Sequence, residues 1–176
     1  IAGVRGNYQS VKVLNKFRPV IDAAGHTWRM PALAYVNSAG NAVPQYAKNR
    51  TYTMNSGTYD YPVVLYHLDY PASDVQLKLT NTRTRKTYWA LLDYSSFNPT
   101  TYKVSSRSTH LYRQSRDVSY QGILFDGGYY AKGKGRPIPN GTYTAQLRVL
   151  KPLGKSSKKS DWETFTTPRF RVAWSG

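Results

Sequence analysis

PIPNGTYTAQLRVLKPLG, residues 137–154, decides the fold. After the Pro139-Asn140-Gly141 turn signal, Tyr143, Ala145, Leu147 and Val149 share one parity, while Thr144, Gln146 and Arg148 share the other. That period of two is a strand with one buried face, because successive side chains of extended backbone point to opposite sides. Gly141 is expected to supply a positive φ to the turn, and a basic loop follows the strand.

The same alternation recurs on either side. Val75, Leu77 and Leu79 stand against Gln76 and Lys78, and Phe170, Val172 and Trp174 against Arg171. YPVVLYHLDY (61–70) and TYWALLD (87–93) are nearly continuous apolar runs, the pattern of strands covered on both faces, although periodicity alone also allows a short buried helix. VRGNYQSVKVL (4–14), RTYTM (50–54) and YQGILFDG (120–127) read as further strands. Turn signals separate them at Ala24-Gly25, Ser38-Ala39-Gly40, Asn55-Ser56-Gly57, Asn98-Pro99 and Asp126-Gly127-Gly128. Many short strands with no amphipathic helix predict an all-β, antiparallel β-sandwich of fibronectin/immunoglobulin-like or jelly-roll-like type, with little helix and one domain over residues 1–176. Residues 15–48 and 94–119 carry the weakest patterns and read as long loops.

A chain of 176 residues buries enough surface for a core without covalent staples. Its lack of cysteine removes disulfides, thiol nucleophiles and thiolate metal sites together. The 25 Lys and Arg against 9 acidic residues give a net charge of +16, a field that attracts polyanions, acidic protein surfaces or anionic lipids. No apolar run is long enough to span a bilayer as a helix, so no membrane span is expected. The sequence starts at Ile1 with no initiator Met and no signal-like segment, and is expected to be a processed product or a piece of something longer. Asn49-Arg50-Thr51 and Asn140-Gly141-Thr142 are sequons, making Asn49 and Asn140 candidate glycosylation sites on a secretory route.

The residues offer little catalytic chemistry. Glu163 is the lone Glu, and Asp161 beside Trp162 has the setting of a turn-capping acid. His26, His67 and His110 fall in no metal-ligand spacing, so neither a metal nor any other cofactor is expected. A small basic nuclease would have to use His67 with Glu163 or Asp69. No Gly-x-Ser-x-Gly elbow is present, and AKGKGRPIPNG (131–141) lacks the helix that a phosphate cradle needs, so it reads as a hairpin loop. What remains is basic residues interleaved with aromatics. The candidate binding residues are Lys132, Lys134 and Arg136 before the strand, and Lys155, Lys158, Lys159 and Trp162 after it. Such clusters suit polysaccharide or other polyanions; for nucleic acid, the charge has no accompanying recognition motif.

PIPNGTYTAQLRVLKPLG together with DWETFTTPRFRV (161–172) resembles the C-terminal region of secreted fungal subtilisin-like serine proteases, where a Pro-x-Gly-x-Tyr turn and strand lead to a Trp-containing loop and a final Thr-Pro-x-Phe strand. GVRGNYQSVKVL (3–14) is similar to the segment that closes their fibronectin type III-like domain. PVVLYHLDYPASDVQLKL (62–79) and ILFDGGYYAKGKG (123–135) are similar to the same downstream region. The resemblance implies a secreted, extracellular, non-catalytic accessory region partnered by the parent catalytic domain. No Asp-Ser/Thr-Gly, His-Gly-Thr or Gly-Thr-Ser-Met-Ala motif is present, so no catalytic residue carries over. An independent lectin-like or polyanion-binding protein is the alternative expectation.

Overall fold

The computed structural model describes residues 16–21, 25–28, 31–44, 49–55, 60–70, 72–92, 109–110 and 121–175. Its strands, in chain order, are β1 (Val20–Ile21), β2 (Thr27–Trp28), β3 (Ala32–Val36), β4 (Ala42–Pro44), β5 (Arg50–Met54), β6 (Val63–Tyr66) and β7 (Asp74–Asn81). They continue as β8 (Thr87–Trp89), β9 (Gln121–Leu124), β10 (Gly128–Ala131), β11 (Lys134–Pro137), β12 (Gly141–Leu150), β13 (Trp162–Thr166) and β14 (Phe170–Trp174). Among the described residues the helical content is a single 3-10 turn, Lys159–Asp161.

Two sheets make the sandwich. The larger runs β5-β14-β12-β7-β8, with β13 also on β12; the smaller runs β4-β3-β6-β9. Strand β12 is the spine. One edge pairs with β7 from Tyr143 to Leu150, and the other is shared by β13 (Gln146 to Leu150) and β14 (Gly141 to Tyr143). Between these two partners Thr167, Pro168 and Arg169 lie opposite only Thr144 and Ala145, a bulge that bends the edge chain. Thr167 holds the bend: its N–H donates to the Ala145 carbonyl at 2.8 Å, and its Oγ1 accepts from the Ala145 N–H at 2.9 Å. Pro168 has no N–H to give a ladder, and the threonine hydroxyl oxygen supplies the acceptor that the Ala145 N–H would otherwise take from a partner carbonyl. Beyond the bulge, β14 and β5 form a parallel ladder, in contrast to the antiparallel pairings elsewhere among the described strands.

The core lies between the sheets. Tyr52, Val75, Leu77, Leu79, Tyr143, Leu147, Val149 and Phe170 from the larger sheet meet Leu33, Val64, Tyr66, Ile123 and Phe125 from the smaller one or its continuation. A second cluster fills the back of the smaller sheet, where Val20 on β1 and half-buried Trp28 on β2 cover Ala34, Val63 and Leu65. The run VVLY is therefore apolar at every position because alternate residues serve two cores, as expected for a strand covered on both faces.

TYWALLD has a different cause. Only Thr87–Trp89 form a strand; Ala90, Leu91 and Leu92 are buried where the hairpin β10–β11 docks, with Ala90 bridged to Tyr129 and Leu91 N–H donating to Gly128 O at 3.0 Å. Residues 15–48, expected as loop, contain β1 to β4. β1, β2 and β4 span two or three residues, too few for alternation to register, β3 serves both cores and does not alternate, and the strands are fixed by pairing with one another and with β6. Gly141 also departs from expectation: it lies in β12 and is absent from the positive-φ glycines. Its requirement is space, since a Cβ there would stand 2.8 Å from Asn81 Nδ2. The turn before it is pinned instead by the Tyr143 hydroxyl, which donates to Pro139 O at 2.6 Å. The strand expected over residues 4–14 and most of the loop at 94–119 lie outside the described residues.

Candidate functional site on the outer sheet face

The parity that buries Tyr143, Ala145, Leu147 and Val149 turns Thr144, Gln146 and Arg148 to the other side of the larger sheet. Register sets their neighbours. Gln76 and Thr164 flank Arg148, Lys78 and Thr166 flank Gln146, and Trp89 on β8 lies beside Lys78. The face is polar and half-buried at the centre, and exposed at Thr87, Thr164 and Thr166.

Arg148 is its organising side chain. Its guanidinium carbon lies 4.6 Å from the centre of the Trp162 ring and 5.5 Å from that of Trp89, while Lys78 Nζ is 5.8 Å from the Trp89 ring. The negative faces of the indoles attract these cations, each contact contributing about 0.5–1 kcal/mol near solvent. Trp162 is oriented by its own indole N–H, which donates to Ser156 O at 3.0 Å. A guanidinium held at aromatic faces keeps N–H groups for an acceptor, so the arrangement places a charged fork beside two aromatic surfaces.

At the end of this face Asp74, opposite Leu150, is 5% exposed. Its Oδ2 lies 2.7 Å from His110 Nδ1, and its Oδ1 is buried without a hydrogen-bond partner. His110 Nε2 is 3.4 Å from Gln76 Nε2. Burial pushes the Asp74 carboxyl above its ordinary range, against the opposing pull of His110, the Val75 backbone N–H and the Arg148 charge. The carboxylate orients the imidazole and leaves Nε2 facing Gln76. The described residues contain no group of three or more His, Cys, Asp or Glu that could hold a metal ion.

The candidate cations divide. Lys155, Lys158 and Lys159 are exposed on the β12–β13 connection, whose end is fastened by Asp161: Lys151 Nζ lies 2.9 Å from its Oδ1, and the Lys155 N–H donates to its Oδ2 at 2.8 Å. Those bonds hold the Asp161 carboxyl below its ordinary range and give it the turn-fastening role expected of it. Lys132, Lys134 and Arg136 are exposed on the hairpin β10–β11, whose two-residue turn has Lys132 at φ 47° and Gly133 at φ 79°. This hairpin leads into the start of β12, whereas the lysine-rich connection leaves its end, ten residues on, or ~33 Å of strand at about 3.3 Å per residue. Of the candidate binding residues, Trp162 joins Arg148 and Trp89 on the outer face.

The remaining candidates fall elsewhere. Asn49 is exposed at φ 65° ahead of β5; Asn140 is exposed, and its side-chain oxygen accepts the Trp174 N–H at 2.9 Å. His67 is half-buried beyond β6, Asp69 pairs with Arg18 at 2.7 Å, and Glu163 lies opposite Val149 in β13. Sequence reasoning did not bring Arg148 together with Trp89 and Trp162, nor Asp74 with His110. The parity of β12 was the signal available for Arg148; none marked His110, which meets Asp74 across 36 positions.

Scans against protein-family models, curated proteins and solved structures return no match. Among the described residues no helix is long and apolar enough to cross a membrane.

Proposed function

We propose that the chain is a non-catalytic accessory β-sandwich of a secreted subtilisin-like serine protease, bracing the catalytic domain and holding polymer on its outer sheet face. One observation carries this reading: the stretches that resemble the protease region are the framework strands themselves. PIPNGTYTAQLRVLKPLG supplies β12, DWETFTTPRFRV supplies β13 and much of β14, and PVVLYHLDYPASDVQLKL supplies β6 and most of β7. ILFDGGYYAKGKG supplies the end of β9, β10 and the start of β11. The acids support it further. Asp60 accepts from Thr53 N–H and meets Arg50, Asp69 meets Arg18, Asp126 accepts from Gly128 N–H, and Asp161 meets Lys151. These four carboxylates make framework bonds, whereas Asp74 orients the His110 imidazole.

Intact-mass and terminal sequencing of the native secreted material tests the proposal. A subtilisin-like catalytic domain joined upstream, or co-purifying with the chain, is the expected result; a chain secreted without one overturns it. The isolated chain should show no hydrolysis of casein that a serine-directed inhibitor abolishes, and inhibitor-sensitive turnover would count equally against the reading.

The Trp89–Arg148–Trp162 arrangement favours a second reading, an independent secreted sugar- or polyanion-binding protein. The same terminal sequencing separates the two.

A further inference from the structure

We infer that the outer face of the larger sheet is a binding platform for an acidic polysaccharide of the polyuronate class, with Arg148 taking a sugar carboxylate and Trp89 and Trp162 offering apolar surface to the adjoining rings. The inference rests on the reading that this face holds polymer, and is independent of whether a protease accompanies it.

Charge and chemistry select the ligand. The central face carries two aromatic-bound cations, Arg148 and Lys78, set among Gln146, Thr164 and other threonines. Hydroxyl and carboxamide groups both donate and accept, which matches sugar hydroxyls. A nucleic-acid strand or a heavily sulfated glycan presents closely spaced anions and calls for a dense row of Lys and Arg. One charge per sugar, with hydroxyls between, fits two cations at the centre of the face and Arg171 further along it, opposite Thr142.

The anion type follows from Arg148. A planar guanidinium fork pairs two parallel N–H groups with the two oxygens of a carboxylate, and the Trp162 and Trp89 rings, 4.6 and 5.5 Å from the guanidinium carbon, hold it at the face before the ligand arrives. Preorganisation of this kind removes part of the ordering cost of binding. The Trp162 anchor at Ser156 O keeps the second ring in place.

The experiment titrates the full chain with polygalacturonate at low and moderate salt, following tryptophan emission and calorimetry. Heparin, single-stranded DNA and a neutral glucan are run in parallel. Polygalacturonate should bind more tightly than all three, with the neutral glucan weakest. Arg148→Ala should weaken binding about 10- to 100-fold, the range for losing a hydrogen bond to a charged group. Arg148→Lys keeps the charge, loses the fork and should remain clearly impaired, whereas the joint Lys132→Ala, Lys134→Ala, Arg136→Ala variant should bind as the wild type does. Circular dichroism confirms that each variant folds. Tighter binding to single-stranded DNA with steep salt dependence overturns the inference in favour of a nucleic-acid surface. Preferred heparin binding that the hairpin variant abolishes overturns it in favour of simple electrostatics. Full rescue by Arg148→Lys, or no polygalacturonate binding, also overturns it. None of these outcomes bears on the protease association, which fails or stands on terminal sequencing.

Discussion

The two faces of β12 differ by one residue of register and by almost everything else. Tyr143, Ala145, Leu147 and Val149 are at most 2% exposed, whereas Thr144, Gln146 and Arg148, interleaved with them, are half-exposed. A strand's period of two lets a single segment carry two separable kinds of information. The inner parity closes a tyrosine-rich core, and the outer parity arranges cations and indoles that the core does not need. The sharpest way to break this comparison is to truncate neighbouring residues. Leu147→Ala should cost about 2–5 kcal/mol through lost burial and the cavity left behind. Gln146→Ala should stay within ~0.5 kcal/mol. Urea midpoints read both, and equal costs would mean that the outer parity also belongs to the fold.

A smaller effect is expected at the bulge, where the edge strand changes from β13 to β14. Thr167 is 4% exposed, and its hydroxyl accepts the Ala145 N–H and donates to Pro168 O at 2.9 Å. Thr167→Val keeps the shape but leaves that buried N–H without its acceptor, at a cost of about 1–3 kcal/mol. Hydrogen exchange at the Ala145 amide should accelerate by more than at Leu147, whose ladder is unchanged. Uniform acceleration along β12 would show that the hydroxyl contributes only to global stability and does not hold the bend.

Alternating strands and continuous apolar runs made most of the framework legible in the sequence. RTYTM matched β5, and the runs around residues 63–66, 75–79, 143–149 and 170–174 fell on β6, β7, β12 and β14 because burial on one or both faces imprints on residue choice. β1, β2 and β4 left little imprint because two or three residues have too few positions to show a period, and β3 does not alternate because Leu33 and Ala34 serve the two cores in turn. The candidate site was legible in its chemistry and illegible in its assembly. Basic and aromatic residues were visible, but register decides which of them meet. Trp162 meets Arg148 because β13 is antiparallel to β12, and Trp89 reaches the same guanidinium across β7.

The finest contrast lies between two buried aspartates at the same end of the larger sheet. Lys151 and the Lys155 N–H lower the Asp161 carboxyl from the ordinary value of 3.8, whereas burial raises that of Asp74 from the same value. The signs of linkage are therefore opposite. Asp161 contributes stability that is present above pH 3.8 and is lost as pH falls through its lowered pKa. Asp74 contributes stability that is present below pH 3.8 and is lost as pH rises through its raised pKa, where the ionised form leaves Oδ1 buried without a partner. Against Lys151→Met, the wild type should lead most at neutral pH, with the gap closing as the solution is acidified below the ordinary aspartate range. Against Asp74→Asn, the wild type should instead lose ground as pH rises out of that range. Urea midpoints from pH 3 to pH 7 follow both differences. If they move in the same direction, the unsatisfied oxygen of Asp74 is gaining a partner on ionisation, and the half of the outer face beside His110 is tighter around charge than its geometry implies.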